Sequence, residues 1–299
     1  MRKLIFLLMI WGFFKKVVIA DRLALVVNQI YGDVDGYSGL SLAFATIFFA
    51  YQIYCDFSGY SDIAIGAAQI MGFTLMDNFK RPYFSSSISE FWKRWHISLS
   101  SWFRDYLYIP LGGNRVSMPR WYANLFITFL ISGIWHGANW TFMAWGAIHG
   151  FYLTFSIITT KIRSKLSKSS GLTKFPKIHN LIKIGITFIL VNIAWIFFRA
   201  NTISDGLYIL KKILFSSHKD IFNFSLGISI YEIIIIFALL AFLETIHFIQ
   251  EHVRMREFLS DKPTLIRWST YSIIIWLIII FGIFTETQFI YFQFYSRFV

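Results

Sequence analysis

Cysteine and proline are both scarce in this 299-residue chain, which has a single cysteine, Cys55, and five prolines. One cysteine excludes an internal disulfide and any metal site built from several cysteines. No stretch rich in proline, glycine or serine is long enough to act as a linker. We therefore interpret residues 1–299 as a single domain.

Charged side chains are also few. They make up 15% of the residues, whereas hydrophobic residues make up 56%, and the mean hydropathy is +0.57. Soluble proteins are roughly 45–50% apolar. The apolar residues fall in blocks of about 20, the length of helix that crosses a bilayer, and no short alternating segments suggest a barrel. The sequence therefore predicts an all-α polytopic membrane protein.

About seven transmembrane helices are predicted. They lie near residues 4–20, 39–55, 121–136, 138–160, 183–199, 228–248 and 270–290. Residues 56–78 are apolar but contain three glycines, which predicts a closely packed or partly inserted helix. Residues 1–20 begin like a signal peptide, but Lys15 and Lys16 stand where a cleavage site would be, so we expect a retained first span.

Basic residues outnumber acidic ones, 28 to 16. They cluster between the apolar blocks, so membrane topology and anionic lipid headgroups explain them better than nucleic acid, which we exclude as a partner. Residues 161–183 carry seven Lys and Arg and no acid, whereas residues 21–38 carry three Asp and one Arg. The first of these segments is therefore predicted to be cytoplasmic and the second to lie outside.

The segment 79–120 is too polar to span lipid and too aromatic for a solvated loop. Tryptophan and tyrosine side chains favour headgroup depth, and long basic side chains reach from there to water. We expect short re-entrant or interfacial helices in the cytoplasmic half of the protein. Glu90 and Arg94 are four residues apart and are predicted to pair on one helix face.

Two histidines, His136 and His149, lie inside apolar sequence. Ionisable side chains within a membrane are rare and usually functional, and a neutral imidazole can accept a proton as a general base. His136 is interpreted either as such a base or as a core histidine bonded across helices, and the local sequence leaves both open. If the helix continues past it, Asn139 lies one turn further on and would orient the ring.

The other candidates favour structural roles when taken alone. Gly146 and Gly150 flank His149 with a spacing typical of helix packing, and His96 by itself is more typical of a structural residue. Asp56 and Asp62 are interpreted as packing residues rather than as part of a catalytic cavity. No metal-binding His-Glu motif and no glycine-rich phosphate loop is present, so no metal site is predicted.

Three long motifs carry a family resemblance. They are YCDFSGYSDIAIGAAQIMGF (54–73), NFKRPYFSSSISEFWKRWHISLSSWFRDYLYIPLGGNR (78–115) and SGIWHGANWTFMAWGAIHG (132–150). The chain resembles the membrane-bound O-acyltransferase family, and within it the alginate O-acetyltransferase branch and its peptidoglycan O-acetylating relatives. The resemblance implies that residues 54–150 form the catalytic signature region. The family is usually longer, so the resemblance implies that the chain lacks the usual N-terminal helices.

The resemblance also implies a site. His136 matches the catalytic histidine of the family, and His96 matches a second signature position. The remaining candidates for binding the donor or substrate are Arg94, Arg104, Asn139 and Trp135.

The reaction implied is transfer of an acetyl group from a cytosolic thioester, acetyl-CoA, with no bound cofactor. The acceptor would be the hydroxyl groups of an extracytoplasmic polysaccharide such as alginate or peptidoglycan. An extracytoplasmic acetyltransferase partner and membrane lipid are the other expected partners. The expected location is the bacterial inner membrane, which the protein would cross several times. An ion- or proton-coupled transporter and an inactive truncated fragment remain the alternatives.

Overall fold

The computed structural model of the chain describes residues 5–215, 224–253, 258–259, 261–284 and 289, and all regular structure in this part is helical. The α-helices are α1 (Ile5–Phe13), α2 (Asp21–Gly32), α3 (Gly39–Ile70), α4 (Ile88–Arg94), α5 (Ile97–Phe103), α6 (Met118–His136), α7 (Trp140–Ile158), α8 (Thr160–Ser169), α9 (Pro176–Arg199), α10 (Ile203–Leu214), α11 (Ile230–His252) and α12 (Thr264–Phe281). Short π-helical turns are Phe14–Ala20 and Arg104–Tyr108, and 3-10 turns are Pro82–Phe84 and Leu172–Lys174.

Within the described residues, five helices are long and apolar enough to cross a membrane: α3, α7, α9, α11 and α12. They coincide with five of the seven predicted spans. The other two predicted spans, 4–20 and 121–136, are also helical, in α1 with its π-helical turn and in α6. The end of the last predicted span lies largely outside the described residues. The prediction of an all-α polytopic fold is confirmed.

The basic segment 161–183, predicted to lie between two membrane spans, is largely helical. It contains α8 and the first two turns of α9, with only residues 170–175 between the two helices. Helix α9 begins at Pro176, a residue suited to the first position of a helix because its missing N–H would have no helical partner there.

The chain divides into two compact units, Met1–Asp77 with Lys211–Val299, and Asn78–Leu210. The prediction of a single domain, 1–299, stays a prediction.

In the first unit, α3 continues as one helix into the segment 56–78, which the sequence predicted to be closely packed or partly inserted. It runs from Gly39 to Ile70 and is followed by Gly72 with a left-handed φ of 88°. A Cβ atom on Gly59 would lie 2.7 Å from the carbonyl oxygen of Gly12, and a Cβ on Gly12 would lie 2.6 Å from that of Gly59. The glycines in α3 therefore allow close contact with α1 rather than break the helix.

Lys15, in the π-helical turn after α1, is buried, and its charge is paired within the protein. Its Nζ donates to Ser58 Oγ at 2.9 Å and pairs with Asp62 at 2.8 Å. A buried charge is tolerated when it is paired in this way.

Lys16, the next residue, pairs with Asp21 at 2.8 Å and with Asp56. The contacts of Lys15 and Lys16 support the packing interpretation of Asp62 and Asp56. They also explain the two lysines that interrupt the first apolar segment.

In the second unit, α6 and α7 form an antiparallel hairpin joined by residues 137–139. A Cβ on Gly133 of α6 would lie 2.3 Å from the carbonyl oxygen of Phe142, and a Cβ on Gly146 of α7 would lie 2.3 Å from that of Phe129. The helix-packing role predicted for Gly146 is confirmed. The backbone of α7 fills the space beside Gly133.

We expect Gly146→Ala to lower the free energy of unfolding by about 1–3 kcal/mol, because the added methyl group would overlap the carbonyl of Phe129. Gly185→Ala, in α9, is the matched control, since a Cβ there meets nothing within 4 Å. Alanine is the better helix former, so the control is expected to be neutral or stabilising. Thermal unfolding in detergent measures both variants, and equal behaviour would contradict the close approach of α6 and α7.

Candidate active site

His136 is the last residue of α6, and the extended backbone of Gly137 (φ 160°, ψ 158°) ends the helix there. The ring is buried, and its Nδ1 lies 2.7 Å from the carbonyl oxygen of Ser132. A carbonyl oxygen can only accept, so Nδ1 carries the proton. In the neutral ring this places the lone pair on Nε2, the nitrogen that a base would use.

Aromatic rings surround the His136 imidazole edge-on. The ring centroids of Trp145, Trp135 and Phe198 lie 4.9, 5.1 and 5.5 Å from it. Trp145 and Phe198 are buried, whereas Trp135 is 45% exposed. The imidazole therefore stands in a largely apolar environment in which a polar interaction is stronger than in water.

His96 lies between α4 and α5 in a left-handed backbone conformation (φ 42°, ψ 56°). For a residue other than glycine this costs about 1–2 kcal/mol, and such strain concentrates at functional sites. Asn78 holds the turn: its carbonyl accepts from Ile97 N at 3.0 Å, and its Oδ1 accepts from Ser98 Oγ at 2.6 Å. The conformation of His96 is thus fixed from outside the two short helices.

The two signature histidines are close enough to affect each other electrically. Burial, and to a smaller extent the electrostatic interaction with His136, lowers the pKa of His96 to about 3. His96 is therefore neutral at physiological pH. The fold brings together the two histidines that the resemblance selected.

A cavity of about 360 Å³ lies beside them in the same unit. Its lining is Ser89, Trp92, Lys93, Ile97, Leu99, Ser100, Ser101, Phe103, Arg104, Tyr108, Leu125, Thr128, Phe129, Ser132 and Leu153. The lining combines two cations with hydroxyl groups and apolar side chains. Ser132, whose carbonyl oxygen pairs with His136, is among the lining residues, whereas the two histidines themselves are not.

The π-helical turn Arg104–Tyr108 supplies two lining residues. Tyr108 is held by α6, because its hydroxyl accepts from Trp121 Nε1 at 2.8 Å. Asn124 Nδ2 fastens the following turn by donating to the carbonyl oxygens of Leu111 and Gly113, both at 3.0 Å. Sequence reasoning missed Asn124, although an amide side chain inside the apolar part of α6 was a usable signal.

The predicted arginines have different positions. Arg94 pairs with Glu90 at 2.7 Å, which confirms the predicted i,i+4 ion pair, and it is not among the residues that line the pocket. Arg104 does line the pocket and is also paired, with Asp105 at 2.7 Å. The assignment of either arginine to donor binding stays a prediction, and the geometry favours Arg104.

Asn139 does not have the geometry that was expected. Since the helix ends at His136, Asn139 is not one helical turn further on, and it instead caps α7 by accepting from Thr141 N at 3.0 Å. Its Nδ2 donates to the carbonyl oxygen of Asn201 at 3.2 Å. The expectation that Asn139 orients the His136 ring is wrong, and substrate binding by Asn139 and Trp135 stays a prediction.

Within the described ranges, no group of three or more His, Cys, Asp or Glu side chains is placed to hold a metal ion.

The depressed pKa of His96 predicts a pH-dependent stability. Its folded pKa of about 3 lies below the ordinary 6.5, so between these values the unfolded chain binds the additional proton. The contribution of the neutral ring to the free energy of unfolding is complete above about pH 6.5 and is lost as the pH falls towards 3. The loss reaches on the order of 2 kcal/mol at pH 5. We expect thermal unfolding in detergent to show a smaller loss between pH 7.5 and pH 5 for His96→Asn.

Asparagine is the appropriate replacement because it tolerates the left-handed conformation. A variant whose stability falls with pH as steeply as that of the original protein would contradict the burial of a neutral His96.

The sequence of the chain is similar to those of known proteins. The sequence profile described as MBOAT, membrane-bound O-acyltransferase family, matches residues 4–200. The probable alginate O-acetylase AlgI of Pseudomonas putida is 48% identical over 197 residues, which is 64% of this chain and 37% of the relative. The peptidoglycan O-acetyltransferase of Helicobacter pylori is 41% identical over 200 residues, or 67% of this chain and 36% of the relative.

A more distant relative is the teichoic acid D-alanyltransferase of Streptococcus thermophilus, 33% identical over 160 residues, which is 50% of this chain and 38% of the relative. The chain thus matches a little over a third of the length of each of these relatives. The match to the family profile covers well over half of this chain and includes both His96 and His136. Together with the long apolar helices, it shows that the chain is a multi-pass membrane protein and belongs to the membrane-bound O-acyltransferase family.

Proposed function

We propose that this protein is an O-acyltransferase that moves an acetyl group from a cytosolic thioester, acetyl-CoA, to hydroxyl groups of an extracytoplasmic polysaccharide. The observation that carries the proposal is the hydrogen bond between His136 Nδ1 and the carbonyl oxygen of Ser132. It leaves Nε2 as the proton-accepting nitrogen of a buried ring. The names of the relatives, alginate O-acetylase and peptidoglycan O-acetyltransferase, support a polysaccharide acceptor.

The chemistry proposed for His136 is general base catalysis. Nε2 takes the proton of the acceptor hydroxyl as its oxygen attacks the carbonyl carbon of the thioester. The carbon–sulfur bond then breaks, and the proton on Nε2 passes to the leaving sulfur, so the ring returns to its starting state. The retained Nδ1–H bond to Ser132 stabilises the imidazolium that exists between the two transfers, because hydrogen bonds to a charged group are the stronger ones.

His96 is assigned to positioning the reactants beside this base. Its ring is neutral at physiological pH and lies close to His136. A neutral imidazole can donate a hydrogen bond to the thioester carbonyl without competing for the proton that His136 accepts. The strained backbone at position 96 gives the ring a fixed direction from which to do so.

The pocket is assigned to the thioester donor. Lys93 and Arg104 give it a cationic side suited to phosphate groups, and Trp92, Phe129 and Leu153 give it an apolar side suited to the rest of the donor. In this proposal the protein is located in the bacterial inner membrane. The acetyl group passes to the polysaccharide with the help of an extracytoplasmic acetyltransferase partner.

His136→Asn is expected to lower acetyl transfer by on the order of a hundred- to ten-thousand-fold, the usual effect of losing a positioned general base. An asparagine amide can still donate to Ser132 from near the position of Nδ1 but offers no basic nitrogen, so the fold should survive. Transfer of labelled acetyl from acetyl-CoA to alginate by membrane vesicles provides the measurement. His179→Asn, in the first turn of α9, is the matched control and should transfer normally.

Near-normal transfer by His136→Asn would contradict the assignment of the base. The same vesicles also test the transporter alternative: proton or ion flux without any acetyl transfer by the original protein would overturn the proposed function.

Arg104→Ala is expected to raise the KM for acetyl-CoA about five-fold with little change in kcat, because a partly exposed charge contributes about 1 kcal/mol to binding a phosphate. The effect should shrink at high salt, which screens exposed charges. Arg94→Ala is the control, since Arg94 lies outside the pocket lining and pairs with Glu90. A KM raised equally by both substitutions would show that the donor does not occupy this pocket.

A further inference from the structure

His149 is a buried histidine that the proposed reaction does not use. It lies in α7, is fully buried, and does not line the pocket. Its Nδ1 accepts a hydrogen bond from Trp92 Nε1 at 3.3 Å. An indole N–H can only donate, so Nδ1 is unprotonated and the neutral ring carries its proton on Nε2.

That proton is unsatisfied. His149 Nε2 is buried and has no hydrogen-bond partner among the residues that the structure describes. The rings packed around it are aromatic: Trp92, Trp145, Tyr152, Phe129 and Phe91, with centroids 4.9 to 6.3 Å away. An unpaired buried donor costs stability, so a phenylalanine would be the more stable choice in this position. The feature that a phenylalanine lacks is the acceptor at Nδ1.

The hydrogen bond to that acceptor fixes a wall of the pocket. Trp92 lines the pocket, and its ring also packs edge-on against Phe129, a second lining residue, at 5.0 Å. Edge-on packing by itself does not specify where the indole N–H points. The bond to His149 specifies that direction and therefore the face that Trp92 presents to the pocket.

We propose that His149 is a positioning residue that orients Trp92 and thereby shapes the pocket for the acyl donor. The proposal rests on the proposed function in so far as the pocket holds the thioester. His149 acts only through Trp92 and does not touch the substrate.

Two substitutions separate this role from a structural one. His149→Phe keeps the aromatic packing and removes the acceptor, whereas His149→Asn keeps an oxygen near the position of Nδ1 and leaves a cavity. We expect His149→Phe to unfold at the same or a higher temperature than the original protein, with the KM for acetyl-CoA raised about five-fold and kcat within two-fold, as for loss of one neutral hydrogen bond. We expect His149→Asn to be less stable but to retain a nearly normal KM.

If His149 had only a structural role, the KM for acetyl-CoA would rise in the variant that loses stability and stay normal in the variant that does not. That result would overturn the proposal. A fall in kcat with an altered pH profile would also overturn it, because His149 would then take part in proton transfer. Trp92→Phe, which removes the donor, completes a double-mutant cycle: combined with His149→Phe it should raise the KM no further than either substitution alone.

A labelling experiment tests the same point without any activity. Cys55 is the only cysteine and is buried, so Ser101→Cys places one accessible thiol in the pocket. His149→Phe in this background should change the rate of maleimide labelling in membranes at least three-fold, and His149→Asn should not. Unchanged labelling in both variants overturns the role of His149. Changed labelling in a protein that transfers no acetyl group would instead contradict only the proposed function.

Discussion

The hydrogen bond from His136 Nδ1 to the carbonyl oxygen of Ser132 is the interaction on which the candidate site depends. In apolar surroundings an unpaired polar group costs free energy, so a hydrogen bond from the protein stabilises the ring. Because the acceptor lies four residues earlier on the same helix, a bond within α6 sets the tautomer of the ring. The end of α6 at Gly137 then leaves the imidazole at a helix terminus, where the chain turns towards α7.

The close contact between α6 and α7 builds the rest of the site around that ring. Where Gly133 and Gly146 bring the two backbones together, the large side chains of α7 reach past the contact to the neighbouring elements. Trp145 consequently packs against His136, and His149, one turn further along α7, packs against Trp145. Small residues at the helix contact and large aromatic residues beside it are thus parts of one arrangement.

Most of the membrane-spanning helices and the two candidate histidines could be predicted from the sequence, because each depends on a short stretch of residues. Apolar runs of bilayer length gave five of the spans, and the motifs selected His136 and His96. The position of Asn139 could not be predicted, since it depended on whether the helix continued through Gly137. The pocket could not be predicted either, because its walls come from α4, α5, α6, α7 and the π-helical turn, whose relative positions follow from tertiary packing.

The two intramembrane histidines looked alike in the sequence, and hydrogen-bond chemistry separates them. His136 faces a carbonyl, which only accepts, so its proton is on Nδ1 and its basic nitrogen is Nε2. His149 faces an indole N–H, which only donates, so its basic nitrogen is already used. To act as a base, His149 would have to give up its bond to Trp92, whereas His136 keeps its bond to Ser132 in both protonation states. The known partners of the two rings therefore favour His136 over His149 as the proposed base.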